Sequence, residues 1–105
     1  MFHVIFLVKK SEALTREEFA KYWIEEHTPL TASVPGVTAY RCFVTTGAPE
    51  GNAAYDGVAV LAFRDEEAYR RAVDGPEFAR AIADAPNFQD TQLTTALFGE
   101  EFVIV

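Results

Sequence analysis

The order of the sequence signals predicts an α+β domain with β-α-β-β-α-β topology, a four-stranded antiparallel sheet carrying helices on one face. Three observations carry this expectation. An apolar, strand-like run at 2–8 is followed by a helix-start signature at Thr15 to Glu18. Two more strand-like runs flank a loop rich in glycine and proline at 47–55. A capped, proline-interrupted helical stretch then precedes a last apolar run at the C-terminal end.

Taken in order, Phe2 to Val8 is apolar on both alternating faces and reads as the first strand. Thr15-Arg-Glu-Glu18 is a capping box, with Thr15 as N-cap and Glu18 as its reciprocal partner, and Leu14 and Phe19 are placed for a hydrophobic staple. The helix should run from about Arg16 to about Leu30. Phe19, Trp23, His27 and Leu30 recur at four, four and three residues and share one face. Pro29 removes a donor and crowds the Glu25 carbonyl, so the helix should kink or tighten around His27. Val34-Pro-Gly36 is a turn, Val37 to Thr46 a second strand and Val58 to Phe63 a third, joined by a long-tipped hairpin. Asp65 caps a helix over Glu66 to Val73, Gly75-Pro76 breaks it, and a shorter helix should reach about Asp84. Pro86 to Asp90 reads as irregular, and Thr94 to Val105 as the last strand. This is the ferredoxin-like arrangement, and residues 1–105 form one such domain.

The bulk properties bound the function. With 105 residues, half of them hydrophobic, the chain can bury a core without disulfides. A net charge of −7 and the lack of a Lys/Arg cluster beyond Arg70-Arg71 exclude nucleic-acid binding and disfavour an anionic membrane surface. No apolar run approaches transmembrane length, and Met1 to Val8 is too short for a signal peptide, with Lys9-Lys10 on the wrong side. Cys42 is alone, which is consistent with a reducing cytoplasm, the expected location.

Two helices cover only one face of a sheet. On the first strand His3, Ile5 and Leu7 oppose Phe2, Val4, Phe6 and Val8, and on the third Ala59, Leu61 and Phe63 oppose Val58, Val60 and Ala62. Both faces are apolar, so a second copy is expected to cover the one left open, as an isologous homodimer.

The stretches Leu14-Thr-Arg-Glu-Glu-Phe-Ala-Lys-Tyr-Trp-Ile-Glu-Glu-His-Thr-Pro-Leu30, Val34-Pro-Gly-Val-Thr-Ala-Tyr40, Asp56-Gly-Val-Ala-Val-Leu-Ala-Phe63, Gly75-Pro-Glu77 and Asn87-Phe-Gln-Asp90 resemble the EthD family of dimeric α+β barrels. The resemblance covers nearly the whole chain, and Tyr-Trp-x-x-x-His-x-Pro-Leu is its most specific part. It implies two facing sheets and a cavity in each subunit between sheet and helices. It links the chain to bacterial breakdown of an ether fuel additive. It also links it to relatives that isomerise lactones or dehydrate and cyclise polyketides without metal or organic cofactor. The cysteine of the lactone isomerases is missing from Val60-Leu61-Ala62, and the cyclase histidine from Gly75-Pro-Glu-Phe78.

His27 is the leading candidate for chemistry, a titratable group beside Trp23 on an apolar helix face. Its structural alternative is a core histidine bonded to a carbonyl freed by Pro29. His3 could meet His27 if its side of the strand faces the helices; otherwise it is a strand-end surface residue. Asp90 could orient His27 or hold substrate, against a plain turn carboxylate, and Asp56 carries the same ambiguity. Trp23, Tyr40, Tyr55, Phe63 and Phe88 are candidates to line a pocket for a flat apolar ligand, against plain core, whereas Tyr22 and Tyr69 read as surface or rim. Two histidines and one cysteine match no zinc pattern, haem would have only His27 as axial ligand, and no phosphate loop is present, so neither metal nor cofactor is expected.

The expected function is therefore a cofactor-independent isomerase, dehydratase or cyclase acting on a small hydrophobic oxygenated compound, with His27 as acid and base. The alternatives are a non-catalytic binding protein accessory to ether degradation and a dimerisation module without ligand.

Overall fold

The computed structural model describes residues 1–105. Strands β1 (Phe2–Val8), β2 (Val37–Val44), β3 (Gly57–Phe63) and β4 (Thr95–Gly99) form one antiparallel sheet in the order β2-β3-β1-β4. That order is ferredoxin-like, as the signals predicted. Helices α1 (Arg16–Tyr22), α2 (Thr28–Ala32), α3 (Glu66–Val73) and α4 (Pro76–Asp84) supply the second layer.

The first helix starts where the capping box places it. Thr15 Oγ1 accepts from the Glu18 amide at 3.1 Å, and Glu18 Oε1 accepts from the Thr15 amide at 2.9 Å. Between α1 and α2, however, Trp23–His27 forms a π-helical turn, and the Thr28 amide donates to the Trp23 carbonyl five residues back. The disturbance expected around His27 is present, and its sense is a widening rather than a tightening. Pro29 lacks the amide a regular turn would direct at the Glu25 carbonyl, and a wider turn gives its ring room over that oxygen. Trp23 and His27, at the two ends of this turn, are both buried.

Pro35 and Gly36 turn the chain into β2, with Gly36 at φ +91° and the Val37 amide donating to the Val34 carbonyl. Asp65 caps α3 by accepting from the Ala68 amide at 2.8 Å, a bond that holds its carboxyl below the ordinary range. A short 3₁₀ turn, Ala85–Asn87, follows α4.

Register assigns the two faces of the sheet. Val4, Leu61 and Tyr40 lie opposite one another, as do Phe6, Ala59 and Cys42, and these face the helices. Val4, Val8, Phe19, Trp23, Phe63 and Phe88 are the most completely buried large side chains. On the other face Arg41, Val60, Ile5 and Leu97 form a row across the sheet. No helix covers it, and Phe43 and Leu97 are 62% and 48% exposed.

The last strand is shorter than the expected run to Val105. β4 pairs only with β1, Gly99 already lies opposite His3, and β1 begins at Phe2. The ladder runs out of partners there, and Phe102 to Val105 stay exposed outside the sheet despite their apolar sequence. Tyr69, read as surface or rim, is instead half-buried in an aromatic cluster with Phe2, Phe63, Phe78 and Phe98. No helix is long and apolar enough to cross a membrane.

Candidate functional site

A cavity of about 240 Å³ lies between the sheet and the helices. Its sheet side is formed by Tyr40 of β2, Ala59 and Leu61 of β3, Phe6 and Val8 of β1 and Ala96 of β4. Trp23 and His27 of the π turn, Thr31 of α2, and Ala81 and Ile82 of α4 close the helical side. Gly57 permits this arrangement from below, because the Trp23 ring lies directly over its Cα.

His27 is 7% exposed and is fixed at both ring nitrogens. Nδ1 lies 2.8 Å from Asp84 Oδ2, and Nε2 lies 3.2 Å from Thr31 Oγ1. The Phe88 ring packs on the imidazole with centroids 4.6 Å apart. Asp84 is itself held: the Tyr22 hydroxyl donates to Oδ1 at 2.6 Å and Asn87 Nδ2 donates at 3.0 Å. Desolvation pushes the Asp84 carboxyl up, but the hydrogen bonds from Tyr22, His27 and Asn87 outweigh it and leave its pKa below the ordinary value. Asp84 is therefore ionised near neutral pH and can only accept at His27. In the neutral imidazole the proton then belongs on Nδ1, and Nε2 is left as the basic nitrogen beside Thr31.

Tyr40 stands at the β2 side of the cavity. Burial pushes its hydroxyl well above the ordinary phenol range, with the adjacent Cys42 thiol acting the same way and Thr31 and Trp23 opposing. It is a neutral donor at physiological pH. Burial likewise raises the Cys42 thiol, which argues against a thiolate nucleophile there. Tyr22 is raised mainly by its hydrogen bond to Asp84.

Of the candidates read from sequence, His27, Trp23 and Tyr40 meet at the cavity. Phe88 lies behind His27 rather than on the wall. Phe63 is fully buried under Tyr69, and Tyr55 sits on the loop before β3; neither lines the cavity. Asp90 does not reach His27: its carboxylate accepts from the Gln92 and Leu93 amides and shapes a turn. The carboxylate on His27 is Asp84, six residues earlier, because α4 ends against the π turn. Asp56 accepts from the Lys10 amide at 2.7 Å and pins the end of β1. His3 lies on the helix-free face, away from His27, with a buried Nδ1 that has no hydrogen-bond partner. Sequence reasoning missed Asp84, Tyr22 and Thr31 as parts of the site. Thr31 had a signal, since it lies one helical turn beyond His27 on the same face.

The model of the EthD domain matches residues 11–92. The chain belongs to the EthD family. The EthD match spans the π turn, Tyr40 and the whole His27–Asp84–Thr31 group, and it stops just before Thr94 and β4. A solved ethyl tert-butyl ether d (EthD) family protein from Bacillus halodurans C-125 is 25% identical, with 97% of this chain and 99% of that chain covered and a TM-score of 0.85. HapK from Hahella chejuensis shares the fold at 16% identity, over 97% of this chain and 93% of its own, with a TM-score of 0.73. A dimeric ferredoxin-like protein of unknown function from Thermobifida fusca YX does so at 21% identity, over 95% and 90%, with a TM-score of 0.74. No curated protein matches the chain.

Proposed function

We propose that this EthD-family protein binds a small hydrophobic oxygenated compound in the cavity and that His27 moves a proton on it without metal or organic cofactor. The observation that carries the proposal is the buried His27 on the wall of an apolar cavity, with the Asp84 carboxylate 2.8 Å behind it at Nδ1. A carboxylate that Tyr22 and Asn87 hold in place fixes the His27 tautomer, as a general base requires.

The chemistry follows from the placement. Nε2 takes a proton from a carbon next to a carbonyl, and the electron pair moves onto the carbonyl oxygen. Asp84 stabilises the imidazolium that forms, while Tyr40 or Thr31 donates a hydrogen bond to the developing oxyanion. Returning the imidazolium proton to another carbon or oxygen gives isomerisation; giving it to a β-hydroxyl, which then leaves as water, gives dehydration; attack of the enolate on a second carbonyl, whose oxygen takes the proton, gives cyclisation.

Incubating the protein with enolisable ketones and lactones in D₂O and following the α-protons by NMR tests the step. Catalysed exchange that His27→Gln abolishes is the expected result. Exchange that survives in His27→Gln overturns the assignment, and saturable binding without exchange makes the protein a carrier. We also propose that the open sheet face is covered by a second copy, supported by the apolar side chains of Val60, Ile5 and Leu97 across it and by Phe43 and Leu97 at 62% and 48% exposure.

A further inference from the structure

The cavity has a second polar end whose residues the His27 chemistry does not use. Its lining contains no Lys, Arg, Asp or Glu. Its polar side chains fall into two groups. One is His27, Thr31 and Tyr40, described above. The other is Gln89, Thr91 and Thr94, on the approach to β4, whereas Thr95, opposite Leu7, turns its side chain to the helix-free face.

The topology keeps Tyr40 and the second group apart. Tyr40 is on β2, one edge of the sheet, and Thr94 and Thr95 lead into β4, the other edge, with β3 and β1 between. Three strand spacings put them about 14 Å apart across the sheet, and the register offset of three residues between Val4, in the row of Tyr40, and Leu7, opposite Thr95, adds about 10 Å along the strands. The side chains between them, Ala59, Leu61 and Phe6, are apolar. The second group is rigidly placed. Thr94 Oγ1 accepts from the Lys9 amide at 3.1 Å, which leaves its proton free to donate. Gln89 bridges to Lys10 at the end of β1, and the Asp90 amide bonds to the Lys9 carbonyl at 2.9 Å.

Such a cavity discriminates by charge and by length. A carboxylate or phosphate entering it would meet no cation, would lie near the ionised Asp84, and would approach a chain of net charge −7. At about 240 Å³ the space also exceeds that of a single benzene ring, for which a cavity of about 150 Å³ suffices. Building on the proton-transfer reading, we infer that the ligand is an uncharged compound of about two fused rings, with one oxygen held by His27 and Tyr40 and a second at the far end read by Thr94 and Gln89.

Three tetralones test this by calorimetric titration at pH 6.0, where the phenol is neutral and the carboxyl ionised: 1-tetralone, 6-hydroxy-1-tetralone and 6-carboxy-1-tetralone, the last an anion. The hydroxy compound should bind at least fivefold more tightly than 1-tetralone and at least tenfold more tightly than the carboxylate. Thr94→Val, and separately Gln89→Leu, should each reduce the hydroxyl preference to under twofold, while Thr94→Ser retains it. Equal or tighter binding of the carboxylate, no hydroxyl preference in the unmodified protein, a preference that survives both substitutions, or no binding by any of the three overturns the inference. Exchange of the α-protons in D₂O is read on the same samples. The binding pattern without exchange leaves the far subsite standing and removes proton transfer, and exchange without the pattern does the reverse.

Discussion

Gly57→Ala should destabilise the protein, against the ordinary expectation for a strand. An alanine in place of glycine inside a strand usually adds about 0.5–1 kcal/mol through the lower entropy of the unfolded chain. Here an added Cβ would overlap Trp23 Cζ3 outright, and would lie 2.7 Å from Trp23 Cη2 and 2.8 Å from the Phe43 carbonyl oxygen. Comfortable contact begins near roughly 3.5 Å, so about 0.7 Å must be found on the Phe43 side and more than about 1 Å on the Trp23 side at once. The Phe43 oxygen belongs to the main chain of β2 beside β3, and Trp23 is among the most buried side chains, so neither retreats freely. Overpacking of this kind costs about 1–3 kcal/mol, more than the entropic gain. For a domain of this size each kcal/mol lowers Tm by about 4–8 °C, so a net loss near 1.5 kcal/mol means a drop of roughly 6–12 °C. Far-UV circular dichroism gives Tm, and tryptophan emission reports the site directly, since Trp23 is the only tryptophan. An unchanged or higher Tm with unchanged emission would refute the claim that Trp23 is seated on Gly57.

Four further outcomes are expected. Thr15→Ala removes one bond of the capping box and should cost about 1 kcal/mol in urea unfolding, whereas Thr15→Ser should cost little. Because the Asp84 carboxyl is held below its ordinary value, its contribution is complete above about pH 4 and is lost as pH falls through the depressed value. Asp84→Asn should therefore lower stability at neutral pH and flatten the acid limb of a pH-dependent unfolding series. Tyr22 and Tyr40 are both raised, so each contributes stability up to about pH 10 that fades as pH climbs through its folded value, and Tyr22→Phe and Tyr40→Phe should each remove late-titrating absorbance at 295 nm. Val60→Lys puts a charge at the middle of the open sheet face and should yield a monomer by analytical ultracentrifugation, with far-UV circular dichroism unchanged.

The parts of this fold visible in the sequence are those whose causes are local. Thr15 with Glu18, Asp65 ahead of α3 and Pro35-Gly36 each act within four residues, and each does what its residue types dictate. Strand alternation was equally plain, but an apolar pattern on both faces of β1 cannot say which side meets the helices, so the side His3 takes depended on packing. The ladder of β4 ends for want of a partner, and no property of Phe102 to Val105 announces that. The same distinction runs through the site. The helical face of Trp23 and His27 was legible from spacing, whereas the carboxylate that completes it lies 57 residues away, and Asp90 offered an equally good motif in the wrong place. Pro29 marked the disturbed turn but not its sense, because removing a donor permits a wide turn as readily as a tight one.

The π turn gives this helix one residue more than a regular α-helix needs to join the same two ends. Deleting a residue from the surface of the turn, Glu25 or Glu26, would let the segment close into regular α-helix with α1 and α2 still in the same relative orientation. Trp23 and His27, then three residues apart, would remain neighbours on one face. The wide turn is thus a place where this helix can take up or give back one residue on its solvent side without disturbing the face that carries the imidazole.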